Sequence, residues 1–256
     1  MLYYFMIRLL ALTTILFLTL IPATNARAGS GWNVRPMRVN LDNRQRSAAL
    51  TIANAGDAPA LLHAEAMSWE QVDGKDRYVR SEDLIVVPPL LRVEAGNEKV
   101  VRLALRGVLS GTRERAFRIF LTEVPPKISN KGPAVQVAVR MGIPVYANAS
   151  SLKITQAADA GVTPSAQLNG KNRIRLNLVN AGDRHIVINT IRIYADASKS
   201  RLVGERPSTE ALLAGTSRTF ALTANAALTL PTLVVEGVGA SGPFDLTVPV
   251  MQAGAR

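Results

Sequence analysis

Apolar residues in this chain recur at every second position and almost never at helical spacing, and that restricts the fold before anything else does. Met37-Val39-Leu41, Leu50-Ile52, Val101-Leu103-Leu105, Phe117-Ile119-Leu121 and Val135-Val137-Val139-Met141 all alternate with polar or small neighbours. Period two puts successive side chains on opposite faces, as in a half-buried strand. Turn signals separate these runs: Asn54-Ala55-Gly56-Asp57, Asp73-Gly74-Lys75-Asp76, Pro88-Pro89, Ala95-Gly96-Asn97, Pro125-Pro126 and Asn130-Lys131-Gly132-Pro133. Many short strands punctuated this regularly predict an all-β sandwich or barrel.

The second half echoes the first. Ile174-Leu176-Leu178 runs into Asn180-Ala181-Gly182-Asp183 as Leu50-Ile52 runs into Asn54-Ala55-Gly56-Asp57. Leu212-Leu213-Ala214-Gly215-Thr216 leads into a strand as Leu91 to Gly96 leads into Lys99 to Leu105. The expectation is two immunoglobulin-like β-sandwich domains, 29–147 and 148–256, meeting near the short polar stretch Ala147 to Ser151. So short a junction fixes them in an angled, boomerang arrangement with an interdomain cleft, a preferred place for binding.

The first 28 residues read as a cleavable signal peptide. Arg8 lies in the basic region, Leu9 to Ile21 form the apolar stretch, and Ala26-Arg27-Ala28 offers a cleavage site. The apolar stretch is shorter than the roughly 20 residues of a membrane span, and no later stretch suits one, so no membrane insertion of the mature chain is expected. Removal leaves 228 residues, suited to two domains of about 100 each. With no cysteine, an exported chain must draw its stability from its cores alone.

The net charge of +11 becomes +9 without Arg8 and Arg27, and its cations are scattered singly along strands. With only 5% aromatic residues there is little to stack bases on, so nucleic acid is not expected as a partner. His63 and His185 have no ligand or catalytic partner at a recognisable spacing and read as ordinary strand or loop residues. Hydrolase elbow, phosphate-loop and dinucleotide motifs are missing. No enzymatic activity, no metal and no cofactor are expected.

The informative stretch runs from Val86 to Ala147. Its pieces are Arg35-Pro36-Met37-Arg38-Val39 upstream, Pro88-Pro89, Val101-Arg102-Leu103, Phe117 to Pro126 with its Glu-Val-Pro-Pro ending, and Gln136-Val137-Ala138-Val139. In this order and spacing the sequence resembles the periplasmic pilus (fimbrial) assembly chaperones, strongly from Trp32 to about Tyr146. The resemblance implies a chaperone that holds pilin subunits without ATP by lending them a β-strand and delivers them to an outer-membrane usher. Main-chain hydrogen bonds and alternate side chains make such a contact. The donor strand would be Val135 to Met141, with Val135, Val137, Val139 and Met141 filling the pilin groove, worth about 6–12 kcal/mol before ordering costs. Alternation alone favours an ordinary core strand, and only the resemblance reverses that.

The resemblance further implies a cleft arginine, carried over to Arg38, gripping the pilin's carboxylate. The lysine that assists it is replaced by Pro144, so Arg140 or Arg118 is the expected substitute. That departure resembles the divergent branch serving archaic and spore-coat-like pili. Glu114 matches the acid of a buried interdomain ion pair, with Asn148 where its arginine would stand. Asp245 could match a second acid, and Arg102 is an alternative partner for Glu114. The competing function is an exported ligand- or carbohydrate-binding module, which would need aromatic platforms from Trp32 and Trp69.

Overall fold

The computed structural model describes residues 31–125, 137–149, 161–228, 231–239 and 242–252. The leader expected over residues 1–28 lies outside them, as does Val135. The chain is all-β and builds two immunoglobulin-like sandwiches.

In the first sandwich, β1 (Trp32–Arg35), β3 (Ser47–Asn54), β6 (Leu84–Val87) and β8 (Glu98–Leu105) form a sheet ordered β1-β3-β8-β6. The opposing sheet contains β2 (Val39–Asp42), β4 (Ala60–Val72), β5 (Lys75–Arg80), β9 (Arg115–Glu123) and β10 (Arg140–Asn148), ordered β2-β10-β9-β4-β5. A further strand, β7 (Leu90–Val93), pairs with the start of β4. Alternation decides which residues enter the core. Leu50, Ile52, Val101 and Leu103 come from one sheet, and Leu62, Phe117, Ile119, Leu121, Ile143 and Val145 from the other. Their neighbours Val100 and Arg102 point outward.

The first strand is broken where the sequence suggests continuity. β1 pairs antiparallel with β3, whereas β2 pairs parallel with β10 in the opposite sheet. The chain changes sheets through Pro36 to Arg38, and Pro36 has no N–H to continue the ladder. Arg38 therefore sits in the bend between β1 and β2, exposed, and not on a strand.

The second sandwich has β11 (Val162–Asn169), β12 (Arg173–Asn180), β13 (Ile186–Tyr194), β14 (Leu202–Leu212), β15 (Thr216–Thr223), β16 (Thr232–Gly239) and β17 (Gly242–Gln252). The strands are ordered β14-β13-β16-β17-β11-β12-β15. β17 joins the two halves of this path, pairing with β16 over most of its length and then in parallel with β11 from Val250. Leu176, Leu178, Ile188, Ile191, Phe220, Leu233 and Val235 fill its core.

The repeated Asn-Ala-Gly-Asp turns are one device used twice. Buried Asn54 donates from Nδ2 to the carbonyls of Ala58 (2.8 Å) and Val93 (3.0 Å) and accepts from the Gly56 amide (3.0 Å). Buried Asn180 donates to the carbonyls of Arg184 (2.7 Å) and Leu212 (3.2 Å) and accepts from Gly182 (3.0 Å). In each sandwich one amide closes the turn and ties it to a distant strand.

Candidate functional site

Among the described residues, β10 has a length of main chain with no strand alongside it on one side. β9 accompanies it from Arg140↔Thr122 to Ala147↔Arg115, but on the other side β2 reaches only Val145 to Asn148. Upstream of Val145 no described strand flanks that side. Odd-numbered residues face the core: Ile143, Val145 and Ala147 are buried, and Met141 is half-buried against the same core. Continued past the end of the sandwich, this row emerges into solvent, with Val139 38% and Val137 70% exposed.

Of the donor segment expected over Val135 to Met141, the structure describes Val137 to Met141. The strand begins at Arg140, where its ladder with β9 begins; of Val137 to Val139, only Val139 is tied, its carbonyl accepting from the Glu123 amide at 2.9 Å. Met141 is partly committed to its own core, leaving Val137 and Val139 as the described members available for another surface.

The even-numbered residues of β9 and β10 form the opposite face of this sheet, towards the second sandwich. Arg118 stands directly across from Pro144. Its guanidinium lies 4.1 Å from the Trp69 ring centre and 5.5 Å from that of Tyr78, a stacked cation–π position, and its buried Nε has no hydrogen-bond partner. Gly142 makes room for it, since a Cβ there would come 2.9 Å from Arg118 Cδ. Arg140 is engaged already, paired with Glu65 at 3.1 Å and resting 3.8 Å over Phe120. Arg118 and Arg38 both act on Tyr146, favouring its ionised form.

Tyr146 belongs to the junction between the sandwiches. Trp69 and Tyr146 from the first meet Ala211 and Leu213 from the second in a small apolar cluster. Polar contacts frame it. Gln71 donates to the Ala211 carbonyl (2.8 Å) and accepts from the Leu213 amide (3.0 Å) and the Thr216 hydroxyl (2.8 Å). Arg218 pairs with Asp76 at 2.8 Å. A cavity of about 430 Å³ lies beside these contacts, lined by Ser68, Gln71, Arg113, Phe117 and Leu213 among others.

Glu114 reaches across this junction to a partner the sequence did not suggest. It accepts from the His185 amide at 3.0 Å and meets His185 Nδ1 at 2.6 Å, while its own amide donates to the Asp183 carbonyl at 2.8 Å. The imidazole stacks on Tyr146 with ring centres 3.4 Å apart. Neither expected alternative takes part: Arg102 points outward from β8 in the other sheet, and Asp245 is exposed on β17 opposite Glu236. Asn148, buried, donates to the Thr112 carbonyl at 3.3 Å. Burial chiefly, then the Glu114 charge, raises the Tyr146 pKa, against Arg118 and Arg38. His185 was hidden because its partner is 71 residues away. Among the described residues no cluster of three or more His, Cys, Asp or Glu side chains could hold a metal.

Comparison with known proteins gives this arrangement a context. Residues 31–153 match the pili and flagellar-assembly chaperone family, PapD N-terminal domain. An uncharacterized fimbrial chaperone of Escherichia coli K12, YhcA, is 30% identical over 112 residues, covering 44% of this chain and 47% of that protein. The Escherichia coli chaperone protein PapD is 27% identical over 119 residues, covering 45% and 48%. The chain thus spans about half the length of the curated relatives it matches. Among solved structures, a chain of the CsuC–CsuE chaperone–tip adhesion subunit pre-assembly complex, from archaic chaperone-usher Csu pili of Acinetobacter baumannii, superimposes with a TM-score of 0.61. At 20% identity, over 86% of this chain and 98% of that one, this is a likeness of fold. The match to the pili and flagellar-assembly chaperone family thus covers the first sandwich, on which β10, Arg118 and Arg38 lie.

Proposed function

We propose that this protein is a periplasmic chaperone, exported by the leader at residues 1–28, that holds pilus subunits by lending them the uncovered side of β10. In this reading 29–147 is the donating domain, 148–256 its companion, and delivery is to an outer-membrane usher of the archaic kind. The observation that carries it is the position of Val137 and Val139. They are exposed, continue the row of buried core residues, and lie on the stretch that no described strand flanks on one side, in the domain the family match covers. A client sandwich missing a strand offers the complementary groove, and no nucleotide is required. Covering the two valines contributes about 2–4 kcal/mol, and each main-chain hydrogen bond about 0.5–1.5 more, before ordering costs.

Arg118 and Arg38 are the residues we assign to the client's terminal carboxylate. Arg118 stands across from Pro144, where the family's lysine is lost, and its guanidinium is not spent on a neighbouring acid, whereas Arg140 pairs with Glu65. A carbohydrate-binding role finds no support in the aromatic residues it would need, since Trp32 and Trp69 are both buried. The test is co-expression with a pilin-like subunit lacking its last strand. The native chain is expected to co-purify with it one to one. Val137→Asp with Val139→Asp abolishes capture while leaving the far-ultraviolet spectrum and the urea midpoint of the free chain unchanged. Undiminished capture by the doubly substituted chain overturns strand donation by this segment.

A further inference from the structure

Pro144 interrupts β10 at the seam between its covered and uncovered halves. β9 pairs with β10 without a break through Arg118↔Pro144. Since the Val139 carbonyl accepts from the Glu123 amide, odd-numbered residues of β10 direct their main-chain groups to β9, and even-numbered ones direct theirs to the other side. A proline is tolerated in a paired strand only where its nitrogen faces away from the partner, and position 144 meets that condition. Its nitrogen is aimed at the side that β2 covers from Val145 onward and that no described strand covers upstream.

From this alternation we infer that Pro144 is a register stop, which limits a client strand to the main-chain amides of Ala138, Arg140 and Gly142 and prevents it from sliding towards β2. This rests on the strand-donation reading. A strand slips in steps of two residues if its side chains are to keep their faces. One such step along β10 carries the pairing from Gly142 to position 144, where the proline has no N–H to give. The slipped register is short of one hydrogen bond at the place where the chain's own β2 begins. Pro144 is thus a positioning residue for the client, and its missing proton, not a side-chain contact, does the selecting.

The chain contains no cysteine, so single cysteines report register cleanly. The full chain carrying Val139→Cys is co-expressed with a pilin-like subunit lacking its final strand, itself bearing one cysteine at successive positions of the strand flanking its groove, and oxidised. With Pro144 present, one client position should give nearly all the disulfide. Adding Pro144→Ala restores the amide, and a second product displaced by two residues should rise about fivefold, the effect of one main-chain hydrogen bond. The restored amide at position 144 should also become protected from hydrogen exchange when client is bound. A single, unshifted product in the Pro144→Ala chain, with that amide left unprotected, overturns the register stop, as do two registers in the chain that retains Pro144. No complex in either background overturns strand donation itself, a result distinct from an unchanged register. Position 144 faces away from β9, so the urea midpoint of free Pro144→Ala checks that pairing survives.

Discussion

Tyr146 gauges whether the two sandwiches meet in solution as they do in the structure. It is 4% exposed, enclosed by Trp69 from its own sheet and by His185, Ala211 and Leu213 from the second sandwich. Burial, followed by the Glu114 charge, lifts its pKa, with Arg118 and Arg38 opposing. An unfolded chain releases this proton near pH 10, while the folded chain retains it to higher pH. The folded state therefore binds the extra proton above pH 10, and by linkage stability is full below that pH and falls as pH rises beyond it. One proton corresponds to about 1.4 kcal/mol per pH unit, so moving from pH 9 to 11 costs about 1.4 kcal/mol through this residue. Tyr146→Phe keeps the ring in its stack and removes the titration. Urea unfolding at pH 9, 10 and 11 should show the native chain losing about that much more stability than the Phe variant. The Tyr78 pKa is also raised, mainly by burial, but that residue is common to both chains. Tyrosinate absorbance should likewise show one late-ionising group fewer in the Phe variant than in the native chain. Parallel stability profiles, or all tyrosines ionising together near pH 10, refute the reasoning and mean that the second sandwich does not cover Tyr146 in solution.

Two further substitutions probe the frame. Asn54→Ala removes three hydrogen bonds from a buried amide and should cost about 2–4 kcal/mol, read as a lowered urea midpoint, with Asn180→Ala doing the same in the second sandwich. A loss below about 1 kcal/mol for either shows that water replaces those partners freely. Glu114→Ala strips the His185 amide of its acceptor at a site where Glu114 is only 6% exposed, at a cost of about 1–3 kcal/mol. The radius of gyration in solution scattering should rise while the circular dichroism spectrum stays that of folded sandwiches. An unchanged radius means the other junction contacts hold the angle unaided.

What sequence revealed and what it withheld divide along a physical line. Alternation fixes faces, so Phe117, Ile119 and Leu121 could be placed in a core, and the twin Asn-Ala-Gly-Asp turns could be matched before their hydrogen bonds were seen. Alternation is silent about which strand lies alongside. The odd-numbered row runs on from Val137 through Met141 to Ala147 with the same period, and nothing in it marks where β2 stops covering the edge. Other features depend on neighbours distant in sequence. Arg118 is distinguished by what surrounds it, Trp69 beneath and Gly142 clearing its path, and Glu114 by a histidine from the other sandwich. A lone histidine after a turn looks the same whether it faces water or a buried carboxylate.

An uncovered strand side beside exposed valines invites its own kind as readily as a client, because main-chain donors and acceptors do not distinguish partners. The structure narrows that invitation in ways consistent with use. The downstream end of this stretch is closed, both by the start of β2 opposite Val145 and by a proline that cannot donate. Arg140, beside Val139, holds a charge over the flank through Phe120 and Glu65, which a second apolar edge would have to desolvate. The two valines supply too little apolar area to hold any passing strand against the cost of ordering it. On the proposed reading, a groove that also satisfied the amides of Ala138, Arg140 and Gly142, and that brought a carboxylate to Arg118, would add the missing increments together. Selectivity then comes from requiring several modest contacts at once, with none strong enough to act alone.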